Sequence, residues 1–253
     1  NESEAKLAWE GYLNLGRWNE ALLEHMLPMF ESTLPRLETH IPQLADRFAE
    51  FIATVAMYSS LDTTEFLLQY NRKISSPGQV ALLDYIRRCL KEMEPKAKED
   101  VWSRWLQRYL TNRARGVPIA MTGEETAATF RLLPNLEPVF ESAVSIILKL
   151  PASTIDRNHI YRELAEQKLA EEYPREVTKI LLHLLPNEEN PLYNFEKIAE
   201  IVIALEAKSI SQSSLLSMCD HLARLSYEGA ADLKQKVLTN RRSRERTGAR
   251  RGN

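Results

Sequence analysis

The sequence predicts an all-α fold in which irregular helical hairpins stack as a HEAT-like α-solenoid or a layered helical bundle of about twelve helices. Apolar residues recur at the i, i+3, i+4 and i+7 spacing of amphipathic helices, and no run alternates as a strand would. Helix-capping patterns separate these apolar segments. Only 8 of the 253 residues are glycine, which is too few for a turn-rich β architecture.

The helices follow one another through short connections, so successive helices are expected to be antiparallel neighbours. Their boundaries are taken from the caps, prolines and glycines that interrupt the apolar stripes. The predicted helices span residues 4–15, 18–34, 42–58, 63–74, 77–93, 98–114, 123–132, 136–149, 157–171, 174–185, 195–207 and 212–226, with a further helix at 229–239.

Two capping patterns lie in the first third of the chain. Asp62 is expected to cap the helix at 63–74, with Glu65 three residues later as its reciprocal partner. Ser76 is expected to cap the next helix, because Pro77 follows at the tolerated first helical position and Gln79 at the reciprocal position. Both patterns fix where a helix begins.

Further signals punctuate the rest of the chain. Thr122 and Glu125 form a capping box, and Ser211 is a plausible N-cap for the helix at 212–226. Gly116 followed by Pro118 indicates the end of the helix at 98–114. These signals support a chain of separate, short helices.

From residue 77 onward the helices fall into pairs, and successive pairs begin roughly 35–45 residues apart, as in helical-hairpin repeats. We therefore expect residues 1–240 to form a single α-helical domain, or a helical part at 1–75 followed by a hairpin-repeat part at 76–240. Residues 241–253 contain almost no apolar side chains and are expected to be a basic disordered tail.

The charge is distributed unevenly along the chain. The formal net charge is −2, but residues 241–253 hold six Arg and one Glu, or +5, which leaves −7 on residues 1–240. An acidic body disfavours a duplex-DNA-binding domain. The tail is then a solvated end or an anion-binding arm. Its candidate contacts are Arg241, Arg242, Arg244 and Arg246.

No pattern indicates catalysis. The chain lacks the zinc-protease, P-loop and Rossmann signatures, and Cys219 and His221 stand two apart on a helix, where they would diverge. We expect no catalytic residue, no cofactor and no metal, and a stand-alone helical enzyme is disfavoured. No apolar stretch approaches the roughly 20 residues that span a bilayer. Two cysteines fit a reducing cytosol, so a cytoplasmic protein without membrane contact is expected.

The segment from residue 101 to 118 is the most informative. On a helical wheel an apolar stripe ends in Arg113, a cation that would need backbone carbonyls of its own last turn or an acidic neighbour as acceptors. The stripe consists of Trp102, Trp105, Leu106, Tyr109, Leu110 and Arg113. Arg104, Arg108 and Arg115 lie on the opposite side. That basic face is either a solvated helix surface or a contact for a partner or an anion.

The same segment carries a family pattern: W-x-x-W-L-x-x-Y-x-x-x-R-x-x-G-x-P, present as Trp102, Trp105, Leu106, Tyr109, Arg113, Gly116 and Pro118. It resembles an uncharacterised bacterial α-helical domain found at the C-terminal end of large sirtuin-like and related antiviral-defence proteins. The likeness covers about residues 100–186 and rests on residues of structural type.

The resemblance implies a C-terminal module whose catalytic domain, often a sirtuin-like NAD-consuming one, lies upstream. We therefore expect a non-catalytic sensor or scaffold in a larger antiphage-defence protein. Its partners would be proteins: the upstream domains, other subunits or a phage component. The alternative is a nucleic-acid-binding helical repeat that uses the Arg face and the basic tail; its affinity would fall steeply with salt.

Overall fold

The computed structural model describes Leu7 and residues 42–151, 158–187, 195–208 and 210–249; at 42–45, 158 and 240–249 it describes the backbone alone. Every regular element among these residues is a helix, which confirms the all-α prediction. The helix predicted at 18–34, and all but Leu7 of that at 4–15, lie outside the described residues. The chain divides into two compact units, Asn1–Leu150 and Pro151–Asn253.

The first unit contains seven α-helices among its described residues. A π-helical segment, Trp102–Leu106, joins the fourth helix to the fifth, and two short 3-10 turns precede the seventh. The helices are α1 Pro42–Tyr58, α2 Thr64–Lys73, α3 Ser76–Glu92, α4 Pro95–Val101, α5 Gln107–Ala114, α6 Gly123–Phe130 and α7 Phe140–Ile147.

Two N-caps are shifted by one residue from their predicted places. Thr63 is the N-cap of α2, while Asp62 accepts a hydrogen bond from the amide of Thr64 at 3.0 Å. Ser75, and not Ser76, caps α3, because its hydroxyl accepts from the amide of Gly78 at 3.4 Å. Neighbouring serines and acidic residues offer competing side-chain acceptors, so the pattern locates a helix start only to within a residue.

The packing of α1 along α3 crosses the boundary that was considered at residue 75. Both helices contribute fully buried side chains, including Phe48 and Ile52 from α1 and Leu82 and Ile86 from α3. The division into units falls instead between Leu150 and Pro151. The first 75 residues therefore do not end at a domain boundary, because their last helices share a core with α3.

The second unit continues with six α-helices among its described residues. α8 packs on α9, α9 on α10, α11 on α12 and α12 on α13, while α8 and α10 also pack on α11 and α12 respectively, as in stacked hairpins. The helices are α8 Asn158–Glu166, α9 Leu169–Glu172, α10 Pro174–Leu184, α11 Phe195–Ala207, α12 Gln212–Arg224 and α13 Ala230–Ala249. The prediction of one helix at 157–171 was wrong, since Lys168 interrupts it with left-handed backbone angles, φ 55° and ψ 31°.

The expected disordered tail is helical up to Ala249, because α13 continues ten residues past the predicted end at 239. Arg and Glu are strong helix formers and can extend an existing helix without packing. The sequence pattern missed this extension because apolar periodicity, on which the prediction relied, stops where the helix becomes polar on all sides. No helix among the described residues is long and apolar enough to span a membrane.

Candidate functional site

The aromatic and aliphatic residues of the apolar stripe are buried as predicted, and Arg113, whose burial the sequence left open, is buried with them. Trp105, Tyr109 and Arg113 are at most 1% exposed. Within the stripe the amide of Gln107 donates to the carbonyl of Trp102, five residues back, so this turn is π-helical. Single π turns inside α-helices occur frequently at functional sites. The aromatic stripe therefore packs the π turn and α5 into the core of the first unit.

The end of α5 is the Gly116 stop that the sequence predicted. Gly116 adopts φ 76°, and its amide donates to the carbonyl of Arg113 at 2.9 Å. The amide of Val117 donates to the carbonyl of Asn112 at 3.0 Å. These two bonds form a Schellman motif, which requires a left-handed residue that glycine adopts without strain. The motif turns the chain directly from α5 into the loop at 117–121.

Arg113 joins this loop to the next helix. Its Nε donates to Oε1 of Glu125 at 2.9 Å, and its Nη2 reaches the same oxygen. Its Nη1 donates to the carbonyl of Val117 at 3.1 Å and to that of Ile119 at 2.8 Å. The predicted acidic neighbour is thus Glu125. The accepting carbonyls belong to the following loop, and not to the last turn of α5.

Glu125 is placed by the first turn of α6. The hydroxyl of Thr122 accepts from the Glu125 amide at 3.2 Å, which confirms Thr122 as the N-cap. The expected return bond of a capping box is replaced, because the carboxylate is directed to Arg113. Burial raises the pKa of the Glu125 carboxyl, since the loss of hydration outweighs the nearby Arg113 cation. Among the described residues, its Oε2 has no hydrogen-bond partner.

A second set of buried polar groups supports the same helix. The side-chain amide of Asn71 donates to the hydroxyl of Tyr109 at 2.6 Å, and the side chain of Gln79 donates to the carbonyl of Asn71 at 2.9 Å. Burial raises the pKa of the Tyr109 hydroxyl far above its usual value. These bonds connect α2 and α3 to α5. They position Tyr109, which lies one turn before Arg113.

The loop at 117–121 has a buried anchor and an exposed apolar surface. Val117 and Ile119 accept hydrogen bonds through their carbonyls, while their side chains are 42% and 43% exposed. Val117 precedes Pro118 through a cis peptide bond. The arrangement can present two aliphatic side chains to a protein partner, and it offers no group for proton transfer or nucleophilic attack.

The predicted Arg face is largely neutralised within the first unit. Arg104 pairs with Asp100 at 3.2 Å, and Arg108 pairs with Asp62 at 2.7 Å. Arg115 is exposed and, among the described residues, takes part in no ion pair. The three arginines do not act as one basic surface, because two of them are held by nearby carboxylates. The side chains of Arg241, Arg242, Arg244 and Arg246 lie outside the described residues.

The Cys219–Asp220–His221 triplet does not assemble a reactive centre. Asp220 binds the ammonium group of Lys234 at 2.7 Å, and burial raises the pKa of the Cys219 thiol to about 11. Burial also lowers the pKa of His221. Within the ranges that the structure describes, no group of three or more His, Cys, Asp or Glu side chains is arranged to hold a metal ion.

The sequence indicates that Arg113 needs acceptors, but it does not show that two of them are carbonyls of the loop at 117–121. Val117 and Ile119 carry no motif of their own. A loop that places two aliphatic residues on either side of a proline, immediately after a helix-stop glycine, was the available signal. Asn71 gave none, because a polar residue in an amphipathic helix normally faces solvent.

No curated protein and no solved structure matches the chain. A family profile does match, over residues 54–222, which includes the aromatic stripe, the Arg113–Glu125 pair and the loop between them. The match covers well over half of the chain. The chain therefore belongs to the DUF4020 family, a domain of unknown function.

Proposed function

We propose that this chain is a non-catalytic protein-interaction module, a sensor or scaffold at the C-terminal end of a larger bacterial antiphage-defence protein whose effector domain lies upstream. The defence context comes from the resemblance of the segment between Trp102 and Pro118 to such proteins. The interaction role comes from one observation, the apolar loop at 117–121 held by the buried Arg113 guanidinium.

The hydrogen bonds from Arg113 to the loop matter because ordering a flexible loop on binding costs free energy. Here the carbonyls of Val117 and Ile119 are already bonded to Arg113, so a partner would find the loop in place. Preorganised contacts retain more of their binding energy than contacts that must be ordered first. A buried ion pair costs desolvation and is a weak device for stability alone, which favours a positioning role for Arg113 and Glu125.

The surroundings of the loop resemble a binding patch. Arg115 is exposed two residues before Val117, which sets a charge beside two aliphatic side chains. Protein interfaces commonly combine an apolar centre with a polar rim, and arginine is enriched in them. The partner that fits is a protein surface with an apolar depression, on the upstream domains, another subunit or a phage component.

The test substitutes Val117→Ser and Ile119→Ser together in the native gene product and measures plating efficiency of a phage panel. The proposal predicts that protection falls at least about ten-fold, the factor that 1.4 kcal/mol of lost binding energy would give. Leu61→Ser is the matched control, because Leu61 is an aliphatic residue of the same unit that is 46% exposed; it should protect like the wild type.

Equal protection by the loop variant and the wild type, at equal protein levels, would contradict the proposal. The mass of the assembly by light scattering separates the two roles. If the loop holds subunits together, the assembly of the loop variant should be smaller than that of the wild type. If the loop recognises a phage component, the assembly should keep its mass while protection is lost.

The second candidate is a nucleic-acid-binding helical repeat. It is favoured by the helical continuation of α13 to Ala249, which places Arg241, Arg242, Arg244 and Arg246 on an ordered backbone. It is disfavoured by the acidic body and by the pairing of Arg104 and Arg108. This candidate predicts affinity that falls steeply with salt and is lost when residues 241–253 are deleted. Binding to labelled single-stranded and duplex oligonucleotides over a salt series measures both.

A further inference from the structure

The loop at 117–121 lies at the end of the first unit at which both α2 and α5 finish. The hydroxyl of Thr64, the first residue of α2, donates to the carbonyl of Trp105, just before α5, at 3.3 Å. Near the other end of α2, the side-chain amide of Asn71 donates to the hydroxyl of Tyr109 within α5 at 2.6 Å. The two contacts follow the same order along both helices, so α2 and α5 run in the same direction and end on the same side.

A third hydrogen bond extends this arrangement past the two helix ends. The hydroxyls of Ser76 and Thr122 share a hydrogen bond of 2.8 Å. Ser76 is the first residue of α3, and Thr122 is the N-cap of α6. The connection from α2 to α3 therefore lies beside the loop that connects α5 to α6.

The helix ends beside this loop carry three exposed cations. Arg72 and Lys73 occupy the last turn of α2, and Arg115 is the C-cap residue of α5. All three side chains are exposed, and within the described part of the chain none of them takes part in an ion pair. They differ in this from Arg104, nearer the start of α5, which a carboxylate holds. The three cations are thus available to a partner.

Few carboxylates accompany the three cations. The segments 70–78 and 110–125 contain acidic residues only at Glu124 and Glu125. Glu125 is buried against Arg113, which leaves Glu124 as the exposed acid of these segments. This end of the unit is therefore positive, although residues 1–240 are acidic overall. Complementary potentials favour a partner of the opposite sign and oppose a basic one.

Helix dipoles explain the cations only in part. A cation in the last turn of a helix is stabilised by the free carbonyls at that end, and this applies to α2 and α5 separately. It gives no reason for both helix ends to surround a loop that exposes Val117 and Ile119. Apolar side chains rimmed by charged groups are typical of protein-interaction sites.

We propose that the partner of the loop at 117–121 is an acidic protein segment, whose aliphatic side chains contact Val117 and Ile119 and whose carboxylates pair with the three cations. This inference rests on the proposed function, since it names the chemistry of the partner that the loop binds.

A protein partner fits this surface better than a nucleic acid does. Single-stranded nucleic acids are commonly held by aromatic side chains on which their bases stack. The aromatic residues of α5 and its π turn, Trp105 and Tyr109, are fully buried. The exposed side chains between α5 and α6 include two aliphatic ones, which suit the side chains of a protein.

The test is a selection of random short peptides, displayed on yeast, against the 253-residue chain. We expect enriched peptides that combine Asp or Glu with aliphatic residues. Their affinity should fall at least about ten-fold in Arg115→Glu and in the double variant Arg72→Glu with Lys73→Glu, because like charges would then face each other. The same affinity should fall in the variant that carries both Val117→Ser and Ile119→Ser, and it should weaken as salt is added.

The matched control is Lys91→Glu. Lys91 is also an exposed cation in the last turn of a helix, but it stands at the far end of α3, roughly 22 Å along the helix axis from Ser76. This variant should bind the peptides like the wild type. Every substituted cation is exposed, so the variants should fold, and far-ultraviolet circular dichroism checks that they do.

Two results would overturn the acidic partner while the proposed function stands. One is a set of neutral or basic peptides whose binding requires Val117 and Ile119, and the other is a set of acidic peptides that bind the charge-reversed variants unchanged. A labelled oligonucleotide that binds more tightly than any peptide, and loses affinity in Arg115→Glu, would assign the cations to phosphate instead. A selection without any loop-dependent peptide would also overturn the inference, and the plating measurement decides separately whether the loop has a function.

Discussion

At the scale of single residues, Arg113 is the side chain on which the site depends. It is 1% exposed and bonds to Glu125 and to two loop carbonyls. A buried guanidinium is stable only when acceptors surround it, because its hydration is lost. Its partners lie in the loop and in the next helix, so one cation connects three consecutive pieces of the chain.

Removing one member of this pair should be costly. Arg113→Met or Glu125→Leu alone leaves the other charge buried and should lower the free energy of unfolding by about 3–5 kcal/mol. The double variant should lose at least about 1 kcal/mol less than the sum of the single losses, since no unpaired charge is left. Urea denaturation followed by circular dichroism measures all three, and additive losses would contradict the assignment of a coupled pair.

Arg113 shows which part of the site the sequence predicts and which part it does not. Its place at the end of an apolar stripe showed that it needed acceptors, and the capping pattern showed that Glu125 begins a helix. That the two meet was not predictable, because the approach of α6 to α5 depends on the loop between them. The pairing of Arg108 with Asp62 was missed for a similar reason, because Asp62 is distant in sequence. Asp100, the partner of Arg104, stands only four residues earlier, so that pairing was available from the spacing alone.

At the scale of elements, helix ends control where each helix leads. α5 and α12 both end in a Schellman motif, with Gly116 at the left-handed position of one and Ser226, φ 63°, at the same position of the other. The amide of Ser226 donates to Ala223 at 3.0 Å and that of Tyr227 to Leu222 at 3.1 Å. The two ends share a geometry, but only Ser226 bears backbone strain, because glycine adopts the left-handed region freely.

These two positions should respond in opposite ways to substitution. Gly116→Ala should lower the free energy of unfolding by about 1–2 kcal/mol, because a Cβ is disfavoured in the left-handed region. No steric clash contributes, since the nearest atom to that Cβ is the Cα of Ala120 at 3.8 Å. Ser226→Gly should raise the same quantity by about 1 kcal/mol. Thermal and urea unfolding measure the stability of both variants. A Ser226→Gly variant less stable than the wild type would contradict the backbone strain assigned to Ser226.

The elements also show what periodicity can and cannot predict. The helix predicted at 195–207 is present as α11, Phe195–Ala207, because its apolar residues recur at helical spacing. The helix predicted at 157–171 is broken at Lys168, a residue that rarely adopts left-handed angles and gave no signal in the sequence. The polar end of α13 was missed because a helix without an apolar stripe has no periodic pattern.

At the scale of the whole molecule, the all-α class followed from composition and periodicity, but the division into units did not. The boundary after Leu150 depends on which helices share a core, and α1 shares one with α3 across residue 75, where the sequence allowed a boundary. The first unit contributes a candidate contact, the loop at 117–121 that Arg113 anchors. Under the proposed function the module acts by binding, so its activity would be defined by the protein that contains it.

If these helices are one module of a larger defence protein, the native gene product must be much heavier than the 29.1 kDa of the 253 residues. Intact-mass measurement of that product in its own host lysate tests this most directly. We predict a polypeptide several times larger, whose additional part carries the effector domain. A mature product near 29.1 kDa would contradict the account, because the chain would then act without an upstream effector to control.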